Sequence, residues 1–259
     1  MQWESLRNQV TEGQSAGLSG ISYWSHDIGG YQGLNVDNSR GWDIDLLNRW
    51  FQLGAFTGIF RVHGYRAPTI DDTLPCSSDT SYSDGVGLSP TSGHNEVYTF
   101  TSADTASFNY SASIIKTVKL RESMRSYVFE LFNNYSATGA PVMRPMFYEF
   151  PNDPVCATDT AGDQFMFGPD VLVAPITTNC TADPDLSCTS RHVYLPPLPA
   201  GEVWTSVYTN KTASPASGNI SVSGPRDTFP LFVRSHHAED QVGMIFSGEM
   251  SPLPGYHAL

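Results

Sequence analysis

Gly20-Ile21-Ser22-Tyr23-Trp24-Ser25-His26-Asp27-Ile28-Gly29-Gly30-Tyr31 is the stretch on which the fold of this chain turns. It opens as a short apolar and aromatic run and closes in a polar, then glycine-rich, turn. That pattern predicts a short buried strand over 21–24, with Gly29, Gly30 and Gly33 in a loop close to whatever the strand tip faces. A strand that carries an acid, a histidine and an aromatic to its C-terminal tip is how a parallel α/β barrel builds its site.

The flanking sequence agrees with a barrel. Residues 3–16 read as an amphipathic helix with Trp3, Leu6, Val10 and Gln14 on one face, ended by Gly17 and Gly20. Residues 43–53 read as a second helix, N-capped by Asp43 and stopped by Gly54, with Ile44, Leu47, Trp50 and Phe51 on its apolar face. A second strand is expected over 57–62, ending at His63-Gly64. Residues 67–110 are rich in Ser, Thr, Asp, Gly and Pro. A loop of that length is a lid over the site or a decorated surface loop. One long helix is predicted over 113–135, where Ile114, Val118, Arg121, Met124, Val128, Leu131 and Tyr135 recur at three and four. Helices alternating with strands imply parallel strands joined by crossover helices.

After Pro151 the pattern changes. Short apolar runs at 165–167, 171–173, 192–195, 203–208 and 231–233 are separated by Gly, Pro and Asn turns, which predicts an antiparallel β-sandwich. The expected fold is therefore α/β plus all-β: parallel strands and crossover helices over 1–150, then a β-sandwich domain over 151–259.

Composition removes several function classes. Among 259 residues the net charge is −12, and the lysines are Lys116, Lys119 and Lys211. Without a basic cluster, neither nucleic acid nor an anionic membrane is expected as a partner. No apolar run approaches membrane-spanning length. Five Asn-x-Ser/Thr sequons, at Asn109, Asn134, Asn179, Asn210 and Asn219, point to N-glycosylation in a secreted or secretory-pathway lumenal protein. No signal peptide is read at Met1-Gln2-Trp3, which pulls the other way. Four cysteines (Cys76, Cys156, Cys180, Cys188) allow three pairings as two bridges. Cys180 and Cys188 flank a turn-rich loop and are the candidate disulfide. No Cys-x-x-Cys accompanies them, so a zinc site is not expected.

Three short motifs carry little. Gly13-Gln14-Ser15-Ala16-Gly17 matches a nucleophile-elbow pattern, but lies in a helix that precedes a strand, the reverse of the required order. Ser25-His26-Asp27 has triad residue types, yet consecutive side chains do not converge on one point. His236-His237 reads as a solvated loop.

A resemblance along most of the chain is more specific. The opening stretch resembles the seventh barrel strand and following loop of glycoside hydrolase family 31, the α-glucosidase and α-xylosidase family. Phe60-Arg61-Val62-His63-Gly64-Tyr65-Arg66-Ala67-Pro68 is similar to its eighth strand. Thr138-Gly139-Ala140-Pro141-Val142-Met143-Arg144-Pro145-Met146-Phe147-Tyr148-Glu149-Phe150-Pro151-Asn152-Asp153-Pro154 resembles the segment leaving the barrel. Asp163-Gln164-Phe165-Met166-Phe167-Gly168-Pro169-Asp170-Val171-Leu172-Val173-Ala174-Pro175 is similar to the opening of the proximal C-terminal β domain. Phe229-Pro230-Leu231-Phe232-Val233-Arg234 resembles a late strand of that domain, with Ser235-His236 where the family often has Gly-Gly.

The resemblance implies that residues 1–150 are the C-terminal part of a (β/α)8 barrel, and it implies a retaining glycosidase acting on terminal α-linked sugars, an α-glucoside or an α-xyloside, with a carbohydrate substrate and no metal or organic cofactor. Retention takes two carboxylates, one as nucleophile and one as acid and base. Trp3-Glu4-Ser5-Leu6 looks like the helix start that follows the family's acid/base aspartate. Both catalytic residues are thereby implied upstream of Met1, in the remainder of the barrel, which becomes the chain's structural partner. None of the residues present is expected to be catalytic. The implied substrate-binding set is His63, Asp27, Tyr31 and Trp24: His63 on sugar hydroxyls, Tyr31 and Trp24 as pocket wall or core, and Asp27 orienting its neighbours. Arg61 and Arg66 are expected to pair with carboxylates. The alternatives are a non-catalytic secreted carbohydrate-binding glycoprotein and an inactive gene fragment.

Overall fold

The computed structural model describes residues 2–30, 32–33, 44–63, 65–66, 108–179, 190–213, 218–235 and 245–246. Expectations for Tyr31, Asp43, Cys76, Cys180, Cys188, His236 and His237, and for almost all of the 67–110 stretch, lie outside the described residues.

Helix α1 spans Trp3–Leu18 and buries Leu6, Val10, Gly13, Gln14 and Gly17, the face its spacing predicts. Gly17 sits inside the helix rather than ending it. A Cβ there would stand 2.6 Å from the Met143 carbonyl oxygen, so only glycine lets the following sheet approach this closely. Helix α2 spans Ile44–Gly54 and is buried almost all round, because it lies between the strand-like segments and the β-domain. The single helix predicted over 113–135 is two, α3 (Tyr110–Ser123) and α4 (Arg125–Thr138). They break at Met124, which is fully buried and closes with an i→i−3 bond to Arg121 O of 3.2 Å. Asn109 caps α3 by accepting from Ala112 N at 2.6 Å.

Residues 21–24 and 57–62 run side by side but form no continuous ladder. Ile59 N donates to Trp24 O at 3.0 Å and Ile28 N to Arg61 O at 3.4 Å. The parallel pairing comes further along, between β1 (Gln32–Gly33) and β2 (Tyr65–Arg66). The predicted burial of 21–24 is also only half right. Ser22 is buried, but Ile21 is 54% and Tyr23 61% exposed. Tyr23 packs on α4, stacking on Phe132 with centroids 4.5 Å apart, yet keeps most of its surface open.

Among the described residues the β part holds two sheets. Strands β3 (Met143–Pro145), β4 (Phe165–Phe167), β5 (Val171–Val173), β7 (Val203–Ser206), β8 (Thr212–Ala213) and β10 (Leu231–Ser235) form one antiparallel sheet of order β3-β4-β5-β10-β7-β8. Strands β6 (Ser190–Leu195) and β9 (Gly218–Ser223) form the second. Met143–Pro145, on the barrel side of the boundary read from sequence, is an edge strand of the larger sheet. This sheet is covered on both faces, which is why its strands read as unbroken apolar runs. Phe165, Phe167, Val171, Val173 and Leu231 pack with the helices, whereas Met166, Leu172 and Phe232 pack with Val193, Leu195 and Trp204. Gln164 staples the two sheets, its Nε2 donating to Tyr194 O at 2.7 Å and its Oε1 accepting from Tyr194 N at 2.9 Å. Cys156 is buried as a free thiol, so the two-bridge arrangement that four cysteines allow is not formed there.

Candidate carbohydrate site

A cleft of about 600 Å³ opens between the polar face of α1 and the tip of the 21–30 segment. Gln9 and Glu12 line it from the helix, with Ser25, His26, Asp27 and Arg61 opposite. Local sequence explains this delivery. Trp24, Ser25, His26 and Asp27 all reach the cleft, while Tyr23 turns to α4, where it stacks on Phe132. The turn closes where Gly30 N donates to Asp27 O at 2.7 Å, with Gly29 and Gly30 at φ of 82° and 84°, a left-handed pair that side chains rarely adopt.

Asp27 does not stand free. Its Oδ1 accepts from Arg61 Nη2 at 3.0 Å, joining the two neighbouring segments at their tips. Tied to Arg61, the Asp27 carboxylate is placed to orient its neighbour and keeps lone pairs that can accept from a hydroxyl. His26 is 5% exposed, and its Nδ1 accepts from the Trp50 indole N–H at 2.8 Å. Burial drives its pKa down to about 3, keeping the ring neutral. Trp24 packs edge-on against the His26 ring, centroids 5.6 Å apart.

Two supports fix these tips from behind. Arg121, reaching back from α3, donates to Ala55 O at 2.9 Å, Thr57 O at 3.0 Å and Gly58 O at 2.9 Å, closing the turn that launches 59–63. Arg49, from α2, donates to Gly224 O at 2.9 Å, Pro225 O at 3.1 Å and Thr228 O at 2.7 Å in the β-domain.

Comparison with known proteins follows this division of the chain. Residues 1–82 match the model of the "Glycosyl hydrolases family 31 TIM-barrel domain", and residues 139–238 that of the "Glycosyl hydrolase family 31 C-terminal domain". The chain belongs to glycosyl hydrolase family 31. It is 29% identical to alpha-glucosidase 2 of Bacillus thermoamyloliquefaciens over 91% of its own length and 24% of that enzyme's. It is 28% identical to alpha-xylosidase A of Aspergillus niger over 94% of its length and 31% of the relative's. Among solved structures, a GH31 alpha-xylosidase from a soil metagenome, complexed with xylose, superposes with a TM-score of 0.72 at 31% identity, covering 95% of this chain and 32% of that one. The chain thus spans 24–31% of these curated relatives.

Within this family 31 chain, the cleft brings Asp27 and Trp24 together. His63 is exposed and is not among the described residues lining the cleft, and Tyr31 lies outside the described residues. Arg61 pairs with Asp27, whereas nothing is described for the Arg66 side chain. Sequence reading passed over His26 and Trp50. It placed His26 at the strand tip and in a Ser-His-Asp string, and Trp50 on an apolar helix face, but gave neither a role in the site. Among the described residues no group of three His, Cys, Asp or Glu is placed to hold a metal. No described helix is long and apolar enough to cross a membrane.

Proposed function

We propose that this chain supplies the C-terminal barrel segment and β-domain of an α-glycosidase that hydrolyses terminal α-linked glucose or xylose with retention. The observation that carries the reading is the Asp27–Arg61 pair, set at the tips of two adjacent parallel segments and lining a polar cleft. The remainder of the barrel, with the nucleophile and the acid/base, is the structural partner this reading requires. His63 and Tyr31 complete the sugar-contacting set with Asp27 and Trp24.

The test is an assay of aryl α-glucoside and α-xyloside hydrolysis, with the anomer of the first product followed by NMR. The 259-residue chain alone is expected to show no turnover. Joined to the upstream barrel segment of a family 31 relative, it is expected to release the α-anomer first. Turnover by the chain alone that is abolished in Asp27→Asn overturns the assignment of catalysis to upstream carboxylates.

A second reading is a non-catalytic carbohydrate-binding glycoprotein. Its support is that Asp27 is already tied to Arg61, and a retaining mechanism needs two carboxylates free to act. Binding of xylose or glucose with no turnover in the joined protein selects it.

Either reading includes passage through the secretory pathway. All five sequon asparagines, Asn109, Asn134, Asn179, Asn210 and Asn219, are exposed, which supports N-glycosylation. A loss of apparent mass on peptide-N-glycosidase treatment of protein from a eukaryotic host is the expected result; an unchanged mass sinks it.

A further inference from the structure

His26 is satisfied on one side only. An indole N–H can only donate, so the Trp50 bond at 2.8 Å makes Nδ1 the bare nitrogen and puts the ring proton on Nε2. Burial keeps the ring neutral, so this tautomer persists at neutral and mildly acidic pH. Nε2 is itself buried and has no hydrogen-bond partner among the described residues, while the ring lines the cleft. Buried donors in folded proteins are nearly always paired. A donor without an acceptor, on a ring that lines a polar cleft, is therefore a candidate binding group.

The cleft also selects the acceptor. Of the charged groups that line it, Arg61 is paired with Asp27 and Glu12 is left over, and the whole chain carries −12, so an anion is disfavoured. The neutral imidazole offers no charge to offset that repulsion. Gln9 and Ser5, from α1, add an amide and a hydroxyl, groups that both donate and accept. This complement fits a neutral, hydroxyl-rich ring.

We propose that His26 is a further sugar-contacting residue, whose Nε2–H donates to an oxygen of a neutral pyranose in the cleft. The indole of Trp50 fixes the direction of that donor, and α2 carries both Trp50 and the Arg49 anchor to the β-domain. The inference rests on the carbohydrate reading above and names a contact within it.

The experiment is a titration of the 15N-labelled 259-residue chain with D-xylose and D-glucose, following the His26 ring nitrogens and the Ser25, Asp27 and Gly30 amides, with sorbitol as the acyclic control. The Nε2-protonated tautomer is expected in the free protein, and the Nε2–H signal is expected to move with xylose or glucose but not with sorbitol. His26→Phe, which keeps a ring without the donor, is expected to weaken binding about tenfold, the scale of one neutral hydrogen bond. His26→Gln, whose amide nitrogen can take the place of Nε2, is expected to recover much of it. If the Phe variant does not fold, the wild-type Nε2–H response decides alone. Amide shifts at Ser25, Asp27 and Gly30 with an unmoved Nε2–H overturn the His26 contact and leave the cleft reading standing. An Nδ1-protonated ring overturns the contact, and no response at any of these positions overturns both.

Discussion

The barrel-like part of this chain has two sides, and they are finished to very different degrees. Toward the β-domain, α2 and α3 meet the 224–228 loop through a dense polar seam. Arg49 donates to three of its carbonyls, while Asn48 Nδ2 and Gln52 Nε2 both donate to Arg226 O, at 2.6 and 2.8 Å. Toward the opposite side, Ile21, Tyr23 and Ile59 are 54%, 61% and 41% exposed. The packed, hydrogen-bonded side is thus built by α2 and α3, whereas residues 21–23 and 59 leave apolar surface exposed even though Tyr23 stacks on Phe132 of α4. The packed side belongs to contacts this chain can make with itself. The chain spans 24–31% of its curated relatives, and the proposed reading would set further barrel strands beside the exposed residues.

The sharpest way to break the contrast is at Arg49. It is 1% exposed, and burial lowers its pKa to about 10, so it remains a cation at neutral pH. Arg49→Met removes the charge and leaves three seam carbonyls without their donor, that of buried Gly224 among them. A loss of about 3–5 kcal/mol is expected, the scale for removing one partner of a buried charged network. Urea unfolding followed by tryptophan fluorescence checks it. A loss below about 1 kcal/mol would mean that the 224–228 loop relaxes to water and that the seam is not rigid.

Gly58 comes next, because it sets how closely the two segments lie. A Cβ there would stand 2.2 Å from Ser22 O, a backbone atom that cannot swing aside. Gly58→Ala is expected to cost up to about 3 kcal/mol by overpacking. It is also expected to weaken the Asp27–Arg61 pairing, which depends on the same spacing. The urea midpoint and the Arg61 side-chain NMR signals read the two effects separately.

These cases show which features sequence carries. The β-sandwich was legible, since 165–167, 171–173 and 231–233 are short apolar runs between turns. That one sheet is covered by helices on its other face was not, because two-sided burial erases the alternation that would show a face. Helix α1 was legible from Leu6, Val10 and Gln14, but its length was not, since Gly17 looks like a stop until its contact with Met143 is known. The break at Met124 left no trace, because its burial keeps the three-and-four repeat intact across it. Asp27 was legible as a strand-tip acid. Its pairing with Arg61 and the role of Trp50 depend on contacts 34 and 24 residues apart in the chain, which spacing does not report.

A third test uses pH. The His26 pKa falls from 6.5 in the unfolded chain to about 3 in the folded one, through burial. Between those values the unfolded state binds the extra proton, so stability rises with pH. The contribution is fully present above about pH 6.5 and is lost as pH falls toward 3. About 2 kcal/mol of it is expected to disappear between pH 7 and pH 5, at about 1.4 kcal/mol per unit. The same urea titrations on His26→Gln are expected to lack that component, and subtraction of the two curves isolates it from other groups. Parallel curves would mean that water reaches the ring.

The smallest thermodynamic effect is expected on the open face, and it completes the contrast. Tyr23 stacks on Phe132 with centroids 4.5 Å apart, yet it remains largely exposed. Ile21→Ser alone is expected to change stability by no more than about 0.5 kcal/mol, the usual range for an exposed position with no special role. Its effect is expected in association instead. Ile21, Tyr23 and Ile59 present exposed apolar surface, and such surface drives self-association when nothing covers it. Light scattering on the isolated chain is expected to show less aggregation for Ile21→Ser with Ile59→Ser than for the wild type. In the joined, barrel-complete protein the same pair should become destabilising, by about 2 kcal/mol or more, because both positions would then be core. A double substitution that is neutral in both forms would place the missing strands elsewhere and remove the basis for treating this face as a barrel interior.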